Sequence, residues 1–75
     1  MSCKVVKETD RFVAESVNGD RVTIVEKTTY EEMVNFMGTV QVECLKRYET
    51  AQDEFLHAIG PGTFQTHRGI IYRRL

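Results

Sequence analysis

Residues 11–27 read RFVAESV, NGD and RVTIVEK, which is two runs of strand-forming residues joined by an Asn-Gly pair. Asn and Gly both tolerate a positive φ, and a tight turn between antiparallel strands requires one. This stretch therefore predicts a β-hairpin. It places the chain among small antiparallel β proteins, in which function sits on a sheet face or a loop.

The register of this hairpin follows from the faces that its strands present. A two-residue loop at Asn18 and Gly19 mixes Glu15 into the apolar side. A three-residue loop that ends at Gly19 as a G1 bulge instead turns Glu15 and Arg21 outward as a pair. We therefore predict the bulged register, which gives one apolar face made of Phe12, Ala14, Val22 and Ile24.

Size and composition predict one folded domain that spans residues 1–75, with residues 1–9 mobile at its end. A hydrophobic fraction of 41% with 28% charged residues is ordinary for a globular chain. No segment approaches the roughly 20 apolar residues of a membrane span. We expect a cytoplasmic protein with reduced cysteines and no membrane partner.

The apolar residues after Lys27 are spaced as on one face of a helix. They are Tyr30, Met33, Val34 and Met37. Thr29 and Glu32 have the spacing of a capping box, and Gly38 suits the position after a helix end. This spacing predicts a short helix near residues 30–37 whose methionines fill the core. The alternative is that the second strand continues through Tyr30 and the chain bends at Gly38.

Strand periodicity returns from Thr39 and continues to the C-terminus. Turns are indicated at residues 51–53, 60–62 and 67–69, and the last strand covers residues 70–74. Short strands with no room for crossover helices predict a mainly β fold. We expect a small antiparallel meander or a partly open barrel of about five to six strands, with the one short helix near residues 30–37.

Three segments resemble a group of small uncharacterised bacterial proteins of β-rich fold. They are LKRYET at 45–50, GTF at 62–64 and YRR at 72–74. The chain departs from that group in residues 29–44, where the group tends toward a polar connection, and at Asp53, where Gly is more usual. The resemblance implies a bacterial source and a β-rich fold, and it carries no activity and no functional residue.

Four side chains are candidate metal ligands: Cys3, Cys44, His57 and His67. None has the Cys-x-x-Cys or His-x₃₋₅-His spacing of a local metal unit. Cys44 falls on the apolar side of Val40 and Val42, which predicts a buried and inert thiol. We therefore expect no catalytic residue, no metal, no cofactor and no enzymatic activity.

Two functional hypotheses remain. The first is a protein-interaction or accessory module, in which an edge strand such as residues 70–74 accepts an unknown protein partner or a second copy. An exposed patch of Met33, Phe36 and Met37 would favour this hypothesis.

The second hypothesis is nucleic-acid binding by a basic and aromatic C-terminal surface. Its residues are Lys46, Arg47, Tyr48, Arg68, Tyr72, Arg73 and Arg74. Residues 45–75 carry five Lys or Arg against three Asp or Glu, whereas residues 1–44 carry five against eight. The net charge of −1 is low for a dedicated nucleic-acid binder, so we rank this hypothesis second.

Overall fold

The computed structural model describes residues 2–75, which form six antiparallel strands that close into one small barrel in sequence order. The strands are β1 (Ser2–Ser16), β2 (Arg21–Asn35), β3 (Gly38–Thr50), β4 (Phe55–Gly60), β5 (Thr63–Thr66) and β6 (Ile71–Arg74). The predicted antiparallel β fold is confirmed. The domain limits 1–75 and the mobility of residues 1–9 stay predictions, although residues 2–8 pair with β2.

The β1–β2 hairpin has the bulged register that the sequence predicts. Ala14 lies opposite Val22, and the Ser16 amide donates to the Asp20 carbonyl at 2.8 Å. Gly19 takes a φ of 86°, which a residue with a Cβ rarely adopts. The turn chemistry therefore fixed the register, and with it the face that enters the core.

The helix predicted near residues 30–37 is wrong, because β2 runs without interruption to Asn35. Residues 30–33 pair with β1 on one side and with β3 on the other. Two neighbouring strands thus satisfy the backbone hydrogen bonds on both edges of β2. A helix of only two turns is marginally stable without packing, so the strand is favoured here. The alternative, in which the second strand continues through Tyr30, is the observed structure, although the chain turns at residues 36 and 37 and not at Gly38.

The barrel core consists of five buried side chains: Ala14, Ile24, Leu56, Phe64 and Tyr72. Each of β1, β2, β4, β5 and β6 contributes one of them. Phe64 lies at the centre, with ring centroids 5.4 Å from Phe12 and 4.8 Å from Tyr48. Such aromatic pairs add about 0.5–1.5 kcal/mol each beyond the burial of their area.

Closure removes the edge strand that the sequence predicts at residues 70–74. β6 pairs with β5 on one side and with β1 on the other, through Ala14, Glu15 and Ser16. This strand cannot accept a partner strand while the barrel stays closed.

The first three strands are far longer than the barrel needs. β1, β2 and β3 have 15, 15 and 13 residues, whereas the other three strands have four to six. Their distal halves leave the barrel together as a three-stranded sheet, and the molecule measures 54 × 22 × 20 Å. We call this projecting sheet, residues 2–6 and 29–45, the arm.

Candidate binding surface

The arm is a single sheet that no second layer covers. Along β2, the exposed fraction of the side chain rises from 0% at Thr28 to 43% at Met33 and 66% at Val34. Every described β3 residue from Gly38 to Arg47 is exposed. Since a sheet is normally stabilised by packing one face on another layer, the arm presents a surface of the kind that partners cover.

Large apolar side chains occupy the end of the arm, in the loop between β2 and β3. Phe36 is 107% exposed and Met37 is 93% exposed, so neither has packing contacts of note. The side chain of Asn35 accepts a hydrogen bond from the Met37 amide at 2.8 Å, which fixes the loop. The prediction that these residues fill the core is therefore wrong. Phe36 and Met37 are exposed to solvent in a turn that a hydrogen bond orders.

One face of the arm carries a row of apolar residues that we call the apolar strip: Val6, Met33, Val40, Val42 and Leu45. Strand register places them together. Val6 and Leu45 flank Thr29 on β1 and β3, and Val40 lies opposite Met33. Residues directly opposite across a ladder share a face. All five are more than two-fifths exposed.

The opposite face of the arm is more polar and is crossed by side-chain contacts. Lys7 donates to the Gln41 carboxamide at 3.0 Å and lies over the ring of Tyr30, 5.4 Å from its centroid. Glu32 and Glu43 are on this face as well, by register with Tyr30.

The face with the apolar strip also carries one charged pair, Lys4 and Glu31, which the register places opposite each other and beside Val42. The two faces therefore differ in how many large apolar side chains they present.

A polar network joins the arm to the barrel. The Thr9 hydroxyl donates to the Glu26 carboxylate at 2.7 Å and lies 2.7 Å from the Thr28 hydroxyl, which accordingly donates to it. The Tyr48 hydroxyl donates to the other Glu26 oxygen at 3.0 Å. Within residues 2–75 no buried side-chain polar atom lacks a partner. The arm thus projects from a fixed base.

Two pKa values at this base are shifted. Burial raises the pKa of the Tyr48 phenol above 10.0, and its hydrogen bond to Glu26 raises it further. The hydrogen bond to Glu43 and the charge of Glu26 raise the pKa of Lys46 above 10.5. Both groups keep their protons at neutral pH.

The predicted basic and aromatic surface is not assembled in the way its sequence pattern indicates. Tyr72 is buried in the core, and the Tyr48 hydroxyl is bonded to Glu26. Neither ring is presented for stacking on a base.

The basic side chains of that surface are mostly paired with carboxylates. Arg68 contacts Glu54 at 2.9 Å, and Arg47 lies 3.7 Å from Glu49. Lys46 lies 3.2 Å from Glu43. Each of these pairs reduces the positive charge that a phosphate would meet at that side chain.

The two arginines at the end of β6 point to opposite faces of the strand. Arg74 contacts Asp10 at 3.1 Å and stacks over Phe12, with 4.2 Å from its guanidinium carbon to the ring centroid. Arg73 is exposed and lies opposite Glu15 in the β1–β6 ladder.

The prediction of a buried Cys44 is wrong. Cys44 is exposed at a bulge of β3, where Leu45 pairs with Thr29 and Glu43 pairs with Tyr30. Cys3 is exposed too, and both thiols are free. Alternation with Val40 and Val42 identified the correct face of the strand, but that face has no layer over it.

The two histidines lie side by side on the barrel exterior. The ring centroids of His57 and His67 are 5.6 Å apart, and Phe55 packs edge-on against His57 at 5.4 Å. Among residues 2–75 there is no group of three or more metal-ligating side chains. Two shallow depressions of about 190 and 370 Å³ open on the surface, one lined partly by Lys27 and Glu49 and the other by side chains near Ile71.

Comparison with known proteins gives no match to this chain among family models, curated proteins or solved structures. In the part of the chain that the structure describes, no helix has the length and apolar character needed to cross a membrane.

Sequence reasoning named Met33, Phe36 and Met37 as a discriminating patch but missed the arm itself. The available signal was length. The strand-forming segments 21–35 and 38–50 have 15 and 13 residues, and each is longer than a strand of a small barrel usually is. The ends of such strands project beyond the barrel.

Proposed function

We propose that this chain is a small non-catalytic protein-interaction module and that the arm is its binding surface. The carrying observation is the exposure of Phe36 and Met37 at the end of an ordered sheet, next to the apolar strip. Burying one such side chain in a partner contributes about 1.5–3 kcal/mol. A few of them supply the central anchors of an interface.

The geometry of the arm supports this function over nucleic-acid binding. The arm end carries Glu31, Glu32 and Glu43 near its apolar residues, and acidic groups repel phosphates. Most basic side chains at the barrel are paired with carboxylates. An apolar surface with acidic neighbours suits a protein partner.

We also propose that the protein works in the cytoplasm of a bacterium. Two exposed free thiols, Cys3 and Cys44, suit a reducing compartment, because exposed thiols oxidise outside one. The resemblance of residues 45–50 and 62–64 to small bacterial proteins supports the source.

The test is a capture experiment from lysate of cells that produce the protein, with the tagged full chain and mass spectrometry. The arm variant is Phe36→Ser/Met37→Ser. The matched control is Val17→Ser, which removes an exposed apolar side chain (89%) from the turn between β1 and β2. We expect a stoichiometric partner, the untagged chain included, that the wild type and Val17→Ser retain and the arm variant loses.

Two outcomes contradict the proposal. One is equal capture by the arm variant and by the wild type, which would place binding elsewhere. The other is capture only of nucleic-acid-associated proteins that disappear after nuclease treatment, which would favour the basic side chains.

A further inference from the structure

We infer that the partner of the arm is a second copy of this chain, paired antiparallel along the outer edge of β3 about a two-fold axis at Gln41. This inference rests on the proposed function, since it names the occupant of the arm. Three observations carry it: a free strand edge, a self-complementary sequence along that edge, and a length that fits.

The outer edge of β3 is free over most of its length. β3 pairs with β4 only at Tyr48 and Glu49, so the edge from Gly38 to Arg47 has no strand beside it. Every second amide and carbonyl along this edge points away from β2. Such a row of unpaired groups is a template for another strand.

Natural proteins protect free edges with charges, proline or bulges, and the two edges of the arm differ in this respect. The β1 edge carries Lys4, Lys7 and Glu8. The β3 edge has no charged residue and no proline from Gly38 to Val42, where it reads GTVQV. The unprotected part of the β3 edge is therefore the stretch from Gly38 to Val42, because Glu43 and the bulge at Cys44 protect the edge beyond it.

The sequence of this edge is symmetric about Gln41. A two-fold axis there places Gln41 opposite its own copy, and Val40 opposite Val42 of the other chain. Thr39 then lies opposite Glu43, so no like charges meet. Val40 and Val42 share one face, so four valines extend the apolar strips of both copies into one continuous surface.

Neighbouring registers are poorer. An axis at Val42 brings the bulged residue Cys44 into the ladder, where it cannot keep regular pairing. An axis at Glu43 places two carboxylates opposite each other. An axis at Val40 shortens the ladder. The axis at Gln41 alone pairs all residues from Thr39 to Glu43 without these costs.

The lengths also agree. The regular ladder ends where Thr39 lies opposite Glu43, before the bulged Cys44, and the loop of one copy then reaches the position beside Leu45 and Lys46 of the other. Both copies end their overlap just before Tyr48, where β4 occupies the edge. Met37 thereby approaches Leu45, and the contact would cover two apolar side chains that are 93% and 64% exposed in the single chain. An isologous contact of this kind closes as a dimer and does not extend into a fibre.

The first test is light scattering coupled to size exclusion, from about 1 µM to about 1 mM of the full chain, a range that covers weak and moderate dimers. We expect the mass to rise from 8.7 kDa to twice that value. Val42→Lys places a charge on the edge and is expected to weaken dimerisation at least about tenfold.

The matched control is Val13→Lys on β1, outside the arm. Val13 and Val42 are both 44% exposed. We expect Val13→Lys to dimerise like the wild type. If Val13→Lys weakens dimerisation as much as Val42→Lys does, the effect is not specific to the β3 edge and the inference is wrong.

The second test fixes the register. In a Cys3→Ser/Cys44→Ser background, Gln41→Cys places two cysteines opposite each other, with Cα atoms about 4.5–5.5 Å apart and within reach of a disulfide. Thr39→Cys is the control, because its copies lie about 14 Å apart in this register. We expect oxidation to cross-link Gln41→Cys and not Thr39→Cys.

The outcomes separate this inference from the proposed function. A monomer at all concentrations overturns the inference, while loss of a different partner by the Phe36→Ser/Met37→Ser variant leaves the proposed function intact. A monomer with no arm-dependent partner overturns both. A dimer that cross-links through Thr39→Cys overturns the register.

Discussion

Strands β1, β2 and β3 contribute to both the barrel and the arm, yet only their barrel halves contain buried side chains. Ile24, in the barrel half of β2, is fully buried, whereas Val34, ten residues further along and on the same face of the strand, is 66% exposed. Pairing with neighbours satisfies the backbone equally in both halves. What differs is the second layer, which β4, β5 and β6 supply for the barrel alone. Hydrogen-bonded pairing thus makes a strand, and cover by another layer makes a core.

The largest difference between the two regions is expected for removal of a buried side chain. Leu56→Ala empties space in the barrel core and should lower the free energy of unfolding by about 2–5 kcal/mol. Val40→Ala in the arm should lower it by less than about 1 kcal/mol, because Val40 is exposed. Urea denaturation of dilute samples measures both. Equal losses would show that the arm belongs to the cooperative core.

The next largest effect concerns the two turns that end the arm-forming strands. Gly19 and Gly38 have φ of 86° and 118°, so an alanine at either is strained by about 1 kcal/mol or more. Gly19→Ala lies at the barrel and should lower global stability by that amount. Gly38→Ala should leave global stability unchanged and speed amide exchange in residues 33–40. A full global loss from Gly38→Ala would contradict the separation of the two regions.

A smaller and pH-dependent effect is expected at the base that joins arm to barrel. The pKa of Tyr48 is raised in the folded state, chiefly by burial. This contribution to stability is therefore complete below pH 10 and is lost as the pH rises through the folded-state pKa.

Tyr48→Phe tests this contribution. The variant should be less stable than the wild type by about 1 kcal/mol at pH 7, because its bond to Glu26 is gone. It should also lose less stability between pH 9 and about 11.5. Denaturation curves at both ends of that range measure the difference. Identical alkaline losses in the two proteins would contradict the assignment to Tyr48.

The smallest effect is expected for the outward pair of the first hairpin. The Arg21–Glu15 contact of 2.9 Å joins side chains that are 67% and 35% exposed. A double-mutant cycle with Arg21→Gln and Glu15→Gln should give a coupling of at most about 0.5 kcal/mol. A coupling above about 1 kcal/mol would show that this rim of the barrel is less hydrated than its exposure indicates.

The sequence predicted the β1–β2 register because Asn18 and Gly19 restrict the turn, and because only the bulged register places Arg21 opposite Glu15. It failed at residues 30–37 because a spacing of three and four fits a helix as well as a strand whose two faces are both exposed. The prediction that Cys44 is buried was wrong for a related reason. Alternation shows which residues share a face, but it does not show whether a layer covers that face.

The site could be predicted only in part. Met33, Phe36 and Met37 were the right residues to watch for protein binding, but the free edge of β3 follows from closure of the barrel. In the closed barrel β6 is paired on both edges, whereas β4 pairs with only the last part of β3 and leaves the outer edge of its distal half free. That arrangement is a long-range property of the chain, which local propensity does not contain.

The most direct test of the account is amide hydrogen exchange by NMR at two protein concentrations, about 20 µM and about 1 mM. We predict that amides in the barrel, such as those of Ile24 and Phe64, are equally protected at both concentrations. The amides of residues 38–44 that point away from β2 should be protected only at the higher concentration, where β3 edges pair. Protection of these amides that does not change with concentration would contradict the account.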